Sequence, residues 1–290
     1  MIKTFFKLAL CVLLYAVVSS VVNSVLPFSP GFMELKSSFR NSFSLLFMAL
    51  YAVWVCYTMY FIARRANIYG RKLYLSLVGV MFFVNSFMTQ IETLLFGGAF
   101  PSLARSDWLK LMLAALVSIA AAALLIVVFF QNKNAAPVKW NIGVKNLIIK
   151  LGIIGIIYVC LYFLFGYFVA WQFKELRYFY TNSEVNNITQ SYAWTPAGSQ
   201  LVLAFIQILR GVLFGVFILP LRKMISAKSA FVISVCLVFL STGMQLIIPN
   251  PLFPDIVRYA HLIEMTGSML LFGLFTGVIL WGKGPKTVKE

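Results

Sequence analysis

Residues 256–281 read IVRYAHLIEMTGSMLLFGLFTGVILW. The run is long enough to cross a bilayer as one helix, which takes about 20 apolar residues. Yet Arg258, His261 and Glu264 all fall in its first third. An ionisable group in a spanning helix costs ~2.5–3.5 kcal/mol on insertion scales, so three on one helix require a reason. At 100° per residue the three share an arc of about 120°. Lipid offers such groups no partner, so that face is expected to look into the protein.

The rest of the chain has the same character. Of its 290 residues 61% are hydrophobic and 11% charged, with a mean hydropathy of +0.92. A soluble domain carries about a quarter charged residues. The composition therefore gives an all-α polytopic membrane protein, one integral-membrane domain over residues 1–290. The net charge of +16 would point to nucleic acid in a soluble protein. Here the cations sit in short connections between apolar runs, where anchoring and orientation explain them, and no nucleic-acid partner is expected. Cys11, Cys56, Cys160 and Cys236 all lie inside apolar segments. That placement gives neither a disulfide framework nor a zinc cluster. The first segment resembles a signal peptide, with Lys3 and Lys7 ahead of an apolar run. It lacks a clean small-x-small cleavage site and reaches spanning length, so it reads as a retained helix.

Eight spanning segments are expected, at 5–26, 42–62, 73–95, 110–130, 149–172, 199–220, 229–248 and 256–281. Prolines fall in the connections, and Pro220 is expected to mark the end of the sixth helix. Sixteen of the 24 Lys and Arg residues gather on one side, including Arg64-Arg65, Arg71-Lys72, Arg222-Lys223 and both terminal stretches. Seven gather on the other side, together with Glu34, Asp107, Glu175, Glu184 and Asp255. The positive-inside rule then places both termini in the cytoplasm. The longest external connection, 174–198, is rich in aromatics. It reads as a headgroup-level belt or, alternatively, as a lid over an outward pocket. Asn187-Ile188-Thr189 is a glycosylation sequon, which matters only in a eukaryote.

Arg210 lies about 17 Å into the sixth helix at 1.5 Å per residue, near the bilayer midplane. An arginine does not shed its proton, so it needs a counter-charge or a wet cavity. Gln200 and Gln207 share its face, and Gly211 and Gly215 form a GxxxG that admits a close neighbour. In the third helix Asn85, Thr89 and Glu92 stand at i, i+4 and i+7 on one face. Ser20, Asn23 and Ser24 lie toward the outer end of the first helix, and Ser241, Thr242 and Gln245 toward that of the seventh. These depths describe a polar cup, open outward and closed below. Depth alone pairs Arg210 with Glu264 and Arg258 with Glu92. His261 is the group whose type titrates near neutral pH. The competing reading is a structural ion-pair network that fixes helix register.

The remaining chemistry is mostly excluded. His261-x-x-Glu264 could supply two metal ligands, but zinc takes three or four and this chain has one histidine. No phosphate-binding glycine loop and no redox CxxC appears, so no cofactor is expected. The candidate ligand-binding or coupling residues are thus Arg210, Glu264, His261, Arg258, Glu92, Gln207, Asn85 and Gln200, with membrane lipids as surroundings. Three functions fit them. A small transporter of an anionic or zwitterionic solute leads, because small polytopic proteins without appended domains most often move something. A sensor binding such a ligand or a lipid headgroup is second. An enzyme acting on a lipid-linked substrate at the outer leaflet is third, with His261 or Glu264 as general base. Compactness and short loops favour a bacterial cytoplasmic (inner) membrane.

Overall fold

The computed structural model describes residues 2–39, 42–133, 140, 142–187 and 200–282. Among the described residues the regular structure is helical, without strands. In chain order the helices are α1 (Ile2–Val25), α2 (Pro30–Ser38), α3 (Ser44–Ala63), α4 (Gly70–Leu95) and α5 (Arg105–Phe130). They continue with α6 (Val144–Phe168), α7 (Lys174–Thr181), α8 (Gln200–Met224), α9 (Lys228–Met244) and α10 (Asp255–Trp281). All but α2 and α7 are long and apolar enough to cross a membrane, which makes eight such helices. The chain is an all-α bundle of the membrane-spanning type.

Three local features depart from the expected pattern. First, α8 runs through Pro220 to Met224 and does not stop there. Proline removes one backbone donor and crowds the carbonyl four residues back, but helices in a membrane tolerate this when neighbours keep packing. Leu221 and Met224, both buried beyond it, supply that packing. Second, α4 holds a π-helical stretch, Phe83–Phe87, which rotates Asn85 and Ser86 into the protein interior. Such insertions recur at functional sites. Third, the connections carry short helices. Ser29 caps α2 ahead of Pro30, the favoured order for a helix start. Asp107 of α5 holds Ser29 in place through its backbone N–H and its hydroxyl.

The helices form two groups. In the first, α1 packs on α3 and α5, and α4 packs on α5. In the second, α6 packs on α8 and α10, and α9 pairs with α10 along its length. The groups meet where α3 touches α9 and where α4 touches α8 and α9. Both GxxxG motifs lie at close crossings. A Cβ on Gly211 would stand 2.8 Å from the Gly155 Cα of α6, and one on Gly273 would stand 2.9 Å from the Cys236 Cα of α9. Where backbones meet like this only glycine fits.

Polarity divides the bundle across its middle. The end bearing Arg64, Arg71, Lys150, Arg222 and Lys228 rests on an apolar core with Ile62, Leu73, Leu77 and Leu221. At mid-depth Tyr158, Phe214, Phe239 and Phe272 form one aromatic layer, with Phe239 and Phe272 stacked at 5.0 Å. Above that layer the interior is polar and hollow.

Candidate functional site

The hollow is a cavity of about 580 Å³, within the range of small-molecule sites. Every helix that lines it contributes from the same half. α1 offers Asn23, α4 offers Asn85 and Glu92, α9 offers Thr242, and α10 offers His261 and Glu264. The cup read from side-chain depths therefore exists as a single space, at the end of the bundle away from most of the cations. Its apolar walls come largely from rings, among them Phe96, Tyr162, Trp171, Tyr180 and Phe253.

The ion pairs differ from those that depth alone gave. Arg210 bonds Glu92, with Nη2 to Oε2 at 3.0 Å, and not Glu264. Its guanidinium also donates to Gln207 Oε1 at 2.7 Å and to the Met88 carbonyl at 3.2 Å. It lies 5.6 Å from the centre of the Tyr158 ring, at the top of the aromatic layer. Arg258 bonds Asp255, at 2.8 Å, and not Glu92. Depth fixes height in the membrane but not which helices are neighbours. α8 lies against α4, which brings Arg210 to Glu92. Glu264 turns to its own helix, where its Oε2 lies 2.8 Å from His261 Nδ1.

The candidate residues accordingly separate by role. Glu92, Asn85, His261 and Glu264 line the cavity. Arg210 and Gln207 lie behind Glu92, fully buried, and hold its carboxylate. Arg258 is a strut. It donates to the Leu246 and Ile247 carbonyls, closing the turn between α9 and α10. Those are carbonyls that a helix end leaves without partners. Gln200 is exposed at the start of α8, away from the others. On α1 it is Ser19 and Asn23 that face the cavity, whereas Ser20 and Ser24 are exposed on the other side.

Tyr180 escapes a sequence reading, since it sits in a connection among many rings. In the structure α7 folds as one amphipathic turn pair, with Leu176 and Tyr180 at i, i+4 facing the cavity. Arg177 fastens the segment by donating to the Trp171 and Glu184 carbonyls. The part of the proposed lid that can be placed, 174–187, therefore includes a helix that forms cavity wall. Residues 188–199, with Tyr192, Trp194 and most of the sequon, lie outside the described residues.

Tyr180, His261 and Glu264 form a hydrogen-bonded chain. The Tyr180 hydroxyl lies 3.0 Å from His261 Nε2, and Glu264 holds Nδ1. A carboxylate on Nδ1 fixes the proton there, so neutral His261 presents Nε2 to the phenol as an acceptor. Desolvation keeps the Tyr180 phenol well above its ordinary range, and it stays a neutral donor at physiological pH. The chain thus ties α7 to α10 on the cavity wall.

Among the described residues no group of three or more His, Cys, Asp or Glu side chains is placed to hold a metal ion. Comparison with protein-family models, curated proteins and solved structures gave no match to this chain.

Proposed function

We propose that this chain is a small membrane transporter whose solute binds in the cavity, and that the solute is zwitterionic. The observation that carries the reading is the confinement of one polar-floored cavity to a single half of an eight-helix bundle. A carrier that exposes its site to one side at a time has this form in one of its end states. The aromatic layer of Tyr158, Phe214, Phe239 and Phe272 would be the closed gate, since an apolar constriction blocks polar solutes by dewetting. A purely anionic solute fits less well, because Arg210 spends its charge on Glu92 and does not face the space.

The cation asymmetry orients the molecule with both termini in the cytoplasm and the cavity toward the outside, as in a bacterial inner membrane. A second reading draws on the same aromatic layer. Its rings pack at 5.0–5.8 Å, and a permanently shut floor would make the protein a ligand sensor without flux.

Cysteine accessibility tests both readings. Single cysteines along α8 and α10 in a cysteine-free background are labelled with an impermeant reagent from each face. A transporter gives labelling down to Gln207 from outside, and labelling at Phe214 and Thr276 from inside in another condition. Labelling that never passes the aromatic layer from either side removes transport and leaves the sensor. Inside labelling of Glu264-level positions only, with none from outside, overturns the orientation.

A further inference from the structure

The polar groups that the cavity leaves without partners are mostly acceptors. Glu92 and Glu264 each commit one carboxylate oxygen, Oε2, to Arg210 and to His261. Their Oε1 atoms have no hydrogen bond among the described residues, and both side chains line the space. Asn85 is 3% exposed and lines the same space, yet its Oδ1 has no partner. Gln90 Oε1 is in the same state. A buried acceptor left unpaired costs about 1–3 kcal/mol, so the two free carboxylate oxygens on residues that line this space call for a donor-rich occupant.

Charge points the same way. Among the described residues that line the cavity, the formally charged side chains are the two carboxylates; no lysine or arginine is among them. Glu92 and Glu264, from α4 and α10, both line this one cavity together with Tyr162 and Tyr180. Around it stand the faces and edges of Phe96, Tyr162, Trp171, Tyr180 and Phe253. Aromatic faces attract cations, and carboxylates bind ammonium groups by charge-assisted hydrogen bonds. An anion would meet two like charges.

From this arrangement we infer that the cavity recognises an alkylammonium group on an amphipathic molecule, with the ammonium between Glu92 and Glu264 and its apolar body against the rings. A primary ammonium has three donors, two of which Glu92 Oε1 and Glu264 Oε1 would accept. The inference rests on the cavity being the ligand site, and it names the chemistry recognised there.

The test uses three probes of one shape on the full-length protein in detergent: 4-phenylbutylamine, 4-phenylbutyrate and 4-phenylbutanol. Binding is measured by isothermal titration calorimetry, and Gly166→Leu serves as a cavity-filling variant. Gly166 lines the cavity and a Cβ there meets only Glu264 Oε1, at 3.9 Å. The amine should bind at least about tenfold more tightly than the other two, the weight of one charge-assisted hydrogen bond. Glu264→Gln should erase about tenfold of that preference, while Glu34→Gln on α2 should leave it intact. A carboxylate or alcohol that binds as well as the amine, in a manner lost in Gly166→Leu, overturns the ammonium and keeps the cavity. Binding unaffected by Gly166→Leu, or absent for all three probes, overturns the cavity reading and the ammonium with it. Because the probe series is run on the unmutated protein, a variant that misfolds does not decide the outcome.

Discussion

Neutralising Glu92 should unsettle the protein more than neutralising Arg210, and the two changes should be strongly coupled. At 3.0 Å, with an effective dielectric constant of about 20, the pair attracts by ~5.5 kcal/mol before desolvation is counted. Desolvation offsets much of this, and the Glu92 side chain is 26% exposed, so solvent in the cavity screens the rest. In Glu92→Gln the guanidinium keeps Gln207 Oε1 and the Met88 carbonyl but no counter-charge, at a site that is 2% exposed. Such a one-sided loss costs about 3 kcal/mol. In Arg210→Met the carboxylate left behind faces the cavity, where it hydrates or takes up a proton, so the cost should fall to about 1 kcal/mol. The double variant should recover about 2 kcal/mol of the summed loss. Unfolding by SDS in mixed micelles, followed by far-UV circular dichroism, reads all four species. Coupling within about 0.5 kcal/mol of zero would refute the pairing. So would larger coupling of Arg210 to Glu264 than to Glu92.

Other consequences can be checked with the same preparations. Arg258→Met should lower stability by about 2 kcal/mol through the lost carbonyl contacts, yet leave amine binding within twofold, since Arg258 does not face the cavity. Loss of binding in a folded variant would show that it does. Gly211→Val should separate α6 from α8 and cost about 1–3 kcal/mol, because its side chain would meet the Gly155 backbone. An unchanged unfolding midpoint would contradict that crossing.

How much of this the sequence carries depends on which coordinate is asked for. Height along the membrane normal is a property of one helix, set by 1.5 Å per residue. Asn85, Glu92, His261 and Glu264 were therefore legible as members of one layer, and they do line one cavity. Lateral neighbours are a property of packing between helices. Nothing in the spacing of Arg210 reveals that α8 lies against α4, so its partner was assigned to the wrong carboxylate. Arg258 shows the same limit in another way. Besides Asp255 on its own helix, its partners are backbone carbonyls of the preceding turn, which any sequence contains and none advertises. Asn85 sits in a π-helical stretch, yet it lines the cavity with Thr89 and Glu92, the residues that the 100° wheel put on its face. Tyr180 was hidden because a short helix in a connection lacks the length that periodicity needs.

The layout of charge gives the buried polar network a reason beyond fixing helix register. A network serving structure alone would satisfy its members and close around them, since each unpaired buried acceptor weakens the fold. Here Arg210 has three partners, one of them the Glu92 carboxylate, and the Arg258 guanidinium is held by Asp255 and two carbonyls, while Arg210 Nε and Gln207 Nε2 stay buried without a partner. The carboxylates of Glu92 and Glu264 line the cavity, each with one oxygen left free. Arg210 holds one oxygen of Glu92 and thereby keeps the carboxylate aimed, while His261 does the same for Glu264. Each carboxylate is fixed by one oxygen and presented by the other. That division of labour is what a preorganised site for a cationic group requires, and a purely structural ion-pair network has no use for it.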